Sequence, residues 1–263
     1  MIDEPPAADA PDVEGAPAGP GPAFYARQGG RWADWWTVLH PPYTAWHVSY
    51  AVIGAVLVPR VNWLVLGATA LAFFLAVGLA AHALDELNGR PLGTSIPNRV
   101  LWAVAVASLA AAVMLGVVTI AHTGPVLIPF IAIGVFLVLG YNLELFGGRL
   151  HTDFGFAAAW GGFPVVVGFV AQAPSVNAAA IASVVAATLS ATALSHAQRR
   201  LSTPARTIRR RLRDVSGTAT FADGTRRVLD RGILLAPLDG ALWTLSYAVP
   251  LLAGALVFAR LAA

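Results

Sequence analysis

The chain has no cysteine and no lysine, and all 17 of its basic residues are arginine. Without thiols there is no disulfide framework, no thiolate metal ligand and no cysteine nucleophile. Without lysine amines no Schiff base can form. Charge of either sign is scarce: 12% of the 263 residues are charged and 57% are hydrophobic, against about a quarter charged in ordinary soluble domains. A soluble fold cannot hide that much apolar surface. The net charge of +3 does not indicate a nucleic-acid partner, because the arginines lie between apolar runs and not on a water-facing patch.

What is present is a series of apolar runs at 43–59, 63–84, 100–121, 125–141, 155–173, 176–194 and 241–259, each near the roughly 17 to 25 residues that cross a hydrocarbon core. The reading is all-α, a polytopic membrane helical bundle of about seven transmembrane helices around a central cavity. Residues 1–22 are rich in Pro, Ala and Gly and carry five acids and no basic residue, the composition of a disordered tail, and the tail domain is drawn over 1–30. The bundle is expected over 31–263, with Trp32, Trp35 and Trp36 at headgroup level and a basic loop at 196–231. The segment 232–240, broken by Pro237, Asp239 and Gly240, reads as interfacial or re-entrant. With an inside N-terminus, fifteen of the seventeen arginines fall on the inner side and only Arg60 and Arg260 on the outer. The positive-inside rule then puts the N-terminus and the polar connections in the cytoplasm, and the expected location is the bacterial plasma membrane.

The remaining polar residues cluster on that inner side. His82, Asp85 and Glu86 stand at i, i+3 and i+4 near the end of the second run, on one helical face, followed by Asn88, Arg90, Pro91 and Leu92. Acids inside a membrane helix are costly and mark function by default. The fourth and fifth runs are joined by Tyr141 to Gly155, a stretch that holds Glu144, Gly147, Gly148, Arg149, His151 and Asp153. The sixth run ends in Ser195, His196, Gln198, Arg199 and Arg200, with Arg206 close behind. These arginines read as a topology anchor or as phosphate ligands. His40, His47 and His122 read as structural.

Three stretches together resemble the UbiA-type intramembrane prenyltransferase superfamily: Leu39-His40-Pro41-Pro42 leading to Gly54-Ala55; His82 through Leu92; and Tyr141, Arg149, Gly155, Gly161, Gly162 and Gly168. The likeness spans about residues 38 to 200. It implies a helical bundle whose central cavity binds a prenyl diphosphate through magnesium held by two acidic motifs. On that resemblance Asp85, Glu86 and Tyr141 are the expected catalytic residues. Asn88, Arg90, Arg149, Arg199 and Arg200 are expected to bind substrate, and Asp85, Glu86 and His82 to hold a single Mg2+. The chain departs from the family at His82, which replaces Asn or Asp, and at 195–206, where the second acidic motif has no acid. It also lacks two of the family's nine spans.

Two other readings stand beside this one. His82, Asp85 and Glu86 with Glu144, His151, Asp153 and His196 are a donor set that suits Zn2+ or Fe better than Mg2+, which would make the protein a membrane-embedded metal-dependent hydrolase, lyase or oxygenase. Loss of an acidic motif also suits a non-catalytic homologue that binds a membrane lipid, isoprenoid or partner.

Overall fold

A computed structural model of the chain describes residues 21–173 and 177–262. In chain order its elements are α1 (Gly30–Leu39), α2 (Pro41–Ala55), α3 (Trp63–Leu87), α4 (Asn98–Thr123), α5 (Pro125–Asn142), α6 (Asp153–Ala171), α7 (Ala178–Arg211), strands β1 (Thr218–Thr220) and β2 (Arg226–Val228), and α8 (Arg231–Leu261). The fold is an all-α bundle with one small hairpin, and the six helices α3 to α8 are long and apolar enough to cross a membrane. The run expected at 43–59 folds as α2, which has only 15 residues and falls short of the roughly 17 that a crossing needs. Among the described residues six helices therefore have the length and composition of a span, with α2 packed between α6 and α8.

Three expected boundaries move. The tail drawn over 1–30 falls partly outside the described residues, but residues 21–29 pack against the bundle. The sixth run does not stop at 194: α7 continues through Pro204 to Arg211. The segment 232–240 is not a separate re-entrant piece but the first turns of α8. One contact accounts for the last two changes. Ala205, Leu235 and Leu242 form a buried cluster with Leu201, Ile208 and Leu238, so each segment supplies the apolar face that keeps the other helical. Between them lies the β1–β2 hairpin, pairing Thr218 with Val228 and Thr220 with Arg226. Its turn is closed by the amide and hydroxyl of Thr225 donating to Asp223 Oδ1, a local side-chain turn that no hydrophobic period announces.

The closest helix approach is between α2 and α6. A Cβ on Gly54 would lie 2.0 Å from the Val165 carbonyl oxygen, and one on Gly168 2.0 Å from the Ala51 carbonyl oxygen. Small residues on both sides let the two backbones touch, the usual means of helix association in lipid. Two stretches of π-helix interrupt the bundle, Phe74–Ala81 within α3 and Ala158–Gly162 within α6. Gly168→Val is expected to cost about 1 to 3 kcal/mol by overpacking, read as a lowered melting temperature in detergent. Gly67→Ala, where a Cβ meets nothing within 4 Å, should leave the melt unchanged or slightly raised.

Candidate functional site

The starts of α2, α6 and α8 and the ends of α3, α5 and α7 meet around a polar cavity of about 410 Å³. α2 is started by a hinge: His40 takes a left-handed backbone (φ 49°) and Pro41 supplies the fixed φ of a first helical position. From there His40, Tyr43 and His47 line one wall. α3 contributes His82 and Asp85, α5 Tyr141, the α5–α6 connection His151, α6 Phe156 and Trp160, α7 Gln198, Arg199, Ser202 and Arg206, and α8 Asp239. The His40 and His82 rings stack at 4.1 Å, and those of Tyr141 and His151 at 4.4 Å. His47 is buried, with Nδ1 2.9 Å from the Trp160 carbonyl in the π-helical turn. Burial, helped by neighbouring His82, holds the His40 imidazole well below its ordinary pKa, so this ring is neutral and its Nδ1 hydrogen donates to the Val38 carbonyl at 2.6 Å.

One end of the cavity is covered by the segment 21–29. Phe24 lies edge-on to Tyr43 and Trp243, and Tyr25 packs against His40 and Tyr43. The segment is tied to α1 by Trp36 Nε1 donating to the Tyr25 carbonyl (3.1 Å), by Arg27 N donating to Thr37 Oγ1 (3.1 Å), and by the Arg27 guanidinium over the Trp36 ring. Its start is tied to α7, where Arg209 donates to the Gly21 carbonyl at 3.3 Å. Burial, with Tyr43 adding to it, pushes the Tyr25 phenol well above its ordinary pKa, so it stays protonated.

Several buried polar atoms point into this space with no partner among the described residues: Tyr141 OH, His151 Nδ1, Gln198 Oε1 and Asp239 Oδ1. His151 Nδ1 lies 3.7 Å from Glu144, too far for a hydrogen bond. Buried polar atoms are normally satisfied, and four orphans around one cavity are the mark of a site built for a polar ligand. The Asp85 carboxylate also faces the cavity and makes no hydrogen bond or ion pair within the described residues.

The sequence-selected residues divide cleanly. Asp85, Asn88, Tyr141, Glu144, His82, His151 and Arg199 line the cavity. Glu86, expected beside Asp85, is fully buried on the other side of α3. Its Oε2 accepts from Leu92 N at 2.9 Å, and its Oε1 accepts from Thr94 N and the Thr94 hydroxyl. It closes the connection between α3 and α4. Arg90 serves the same loop, donating to Thr94 O and bonding Asn98. Arg149 and Arg200 are exposed, and Arg149, Arg200, Asp153 and His196 do not line the cavity. Asp153 instead receives Arg199 Nε at 3.1 Å. Gly147 and Gly148 adopt positive φ (67° and 73°), and neither lines the cavity.

The donor set does not fit the expected magnesium site. Of the trio His82, Asp85 and Glu86, only Asp85 offers an uncommitted carboxylate: both Glu86 oxygens are taken, and His82 is stacked on His40 with Nδ1 directed at the Gly78 carbonyl. Nor do the seven residues of the Zn2+ or Fe alternative come together, for no group of three His, Asp or Glu side chains among the described residues could hold a metal.

Sequence reasoning missed Tyr25, Tyr43, Gln198, Arg209, Arg210 and Asp239, and set His40 and His47 aside as structural. The signal was helical phase. Once α7 continues past 194, positions 195, 198, 202, 205 and 209 follow one another at three- and four-residue steps along a single face. The first four are buried there, and Arg200 points away. A second, apolar pocket lies between α3, α4, α5 and α6, lined by residues such as Ala72, Phe73, Leu109, Val113, Ile131, Gly134 and Phe163. Val77 and Trp160 line both spaces, and each sits in one of the two π-helical stretches.

Glu86→Ala strands three donors and is expected to cost at least about 1 to 3 kcal/mol, read by thermal melting. Asp85→Asn removes a charge that has no partner and should leave the melting temperature unchanged or raised. Comparison of the chain with protein-family models, with curated proteins and with solved structures gives no match.

Proposed function

We propose that the chain is a UbiA-like intramembrane enzyme that transfers the prenyl group of an isoprenoid diphosphate to a small acceptor at a cytoplasm-facing cavity. The observation that carries this reading is the junction at Val77 and Trp160. There a polar cavity rich in arginine adjoins an apolar pocket among the long apolar helices, the two sharing these residues in their walls, a pair of compartments that matches a molecule with an anionic head and a hydrocarbon chain. π-Helical turns often occur at functional positions, and here one lies on each side of the junction.

The chemistry uses the residues at hand. The bond between the allylic carbon and the diphosphate oxygen breaks, and the diphosphate departs with its electron pair into the arginine-lined part of the cavity, where fixed positive charge stabilises it. The allylic carbon bonds to the acceptor, and the proton the acceptor loses passes to Asp85. Tyr141, whose hydroxyl has no partner among the described residues, orients the acceptor by a hydrogen bond. His40 and Tyr25, both neutral, add no charge that would compete for the diphosphate. No step passes through a metal, since the donor set does not fit one.

The test is chain-length dependence. Purified protein in nanodiscs is expected to bind farnesyl diphosphate at least about tenfold more tightly than dimethylallyl diphosphate, about 1.4 kcal/mol. Ala72→Trp, which fills the apolar pocket, should abolish that preference without weakening the short-chain ligand. Equal affinity for the two ligands, or a preference untouched by Ala72→Trp, refutes the reading. Tight binding with no transfer to aromatic or lipid acceptors would leave a non-catalytic isoprenoid-binding homologue in its place.

A further inference from the structure

From the α7 wall we infer a metal-independent oxyanion site, formed by Arg199, Arg206, Arg209 and Arg210, for the phosphate end of an amphiphilic ligand. The inference deepens the reading above and rests on it only for the nature of the ligand's apolar part. Its starting point is the stretch 195–206, which carries arginines and no acid. The cavity is lined by five arginines against three carboxylates, Asp85, Glu144 and Asp239, an excess of cation held in one confined space.

The donors in that space are largely unspent. A guanidinium has five N–H groups. Arg199 uses only Nε, on Asp153, which holds it from outside the cavity. Arg206 makes one long contact, 3.4 Å to the Thr203 hydroxyl. Arg210 has no hydrogen bond or ion pair within the described residues. The side chains are set by helix geometry: 199, 206 and 210 are seven and four residues apart, on one face of α7. Arg206 and Arg210 both lie within electrostatic reach of Asp85, Tyr25 and His40, groups on three different segments around the cavity. Both charges are therefore felt at its centre. Arg209, ion-paired with Asp239 and donating to Gly21 O, frames the end nearest the segment 21–29.

The independent observation that a ligand belongs here is the set of orphaned atoms. Gln198 is 1% exposed and leaves Oε1 without a partner, as Asp239 leaves Oδ1. Both are acceptors beside a cationic wall, suited to hydroxyls of a monoprotonated phosphate or diphosphate whose other oxygens receive the guanidinium hydrogens. Planar guanidinium donors suit phosphate oxygens well, and they replace here what carboxylate-held cations would otherwise provide.

Binding of inorganic pyrophosphate and of farnesyl diphosphate is measured by calorimetry on the protein in nanodiscs, in EDTA and again with magnesium. Chelator-resistant binding is expected for at least the farnesyl ligand. The double variant Arg206→Gln, Arg210→Gln should weaken it at least about tenfold, or 1.4 kcal/mol. Arg200→Gln, on the outward side of the same helix, should not, and a thermal melt confirms that each variant is folded. Binding that disappears in EDTA and returns with magnesium overturns the site, as does equal loss in Arg200→Gln. Chelator-resistant pyrophosphate binding with no gain from the farnesyl chain supports this site while refuting the isoprenoid reading. A chain-length preference that needs magnesium does the reverse.

Discussion

The contact between the α2 and α6 backbones at Gly54 and Gly168 is the constraint on which the cavity depends. A short helix cannot anchor itself by spanning the bilayer, so α2 is held by close packing against its neighbours instead. The approach that sets Ala51 against Gly168 also brings His47 to the Trp160 carbonyl, 2.9 Å away. That hydrogen bond lies at the floor of the polar cavity, where it meets the apolar pocket. Helix packing and site geometry are thus one arrangement, and widening the α2–α6 seam would detach two cavity walls from each other.

Charge in the site is organised by direction. The acids on the side away from the cavity are consumed by structure: Glu86 closes the α3–α4 loop, and Asp34 ties α1 to it by accepting from Ser95 N at 3.0 Å. The acid facing inward on α3, Asp85, is left unpaired. On the opposite wall the arginines face inward with donors to spare. A low-dielectric enclosure magnifies both effects, so the cationic side chains of α7 and the unpaired carboxylate of α3 face one space from separate helices.

The periodicity of the apolar runs was enough to read the helical bundle and the grouping of polar residues at one end. The polar clusters at the helix ends, with the family resemblance, also singled out Asp85, Tyr141, His151 and Arg199, which line the cavity. Periodicity failed where one residue of rotation decides the outcome. Asp85 and Glu86 are adjacent, yet about 100° of helical turn sends one into the cavity and the other to the backbone amides of Leu92 and Thr94. Arg199 and Arg200 divide in the same way. The loop read over 196–231 was misjudged because hydropathy falls there. What keeps 195–211 helical is the apolar face of Leu201, Ala205 and Ile208 packed on the start of α8, a tertiary cause invisible in a local window. His40 and His47 were passed over because nothing in one dimension brings them to His82 and Trp160.

The short segment ahead of α1 decides how the cavity communicates with its surroundings. Phe24 and Tyr25 lie across the end between α2 and α8, wedged among Tyr43, His40 and Trp243 and tethered at Gly21 to the same arginine that pairs with Asp239. That end is lined by aromatic rings, while at the other the buried Val77 and Trp160 stand in the walls of both the polar cavity and the apolar pocket. The segment and the arginine wall thus form one unit, so displacing residues 21–29 would also take from Arg209 one of its two partners, Gly21 O, and leave it only Asp239.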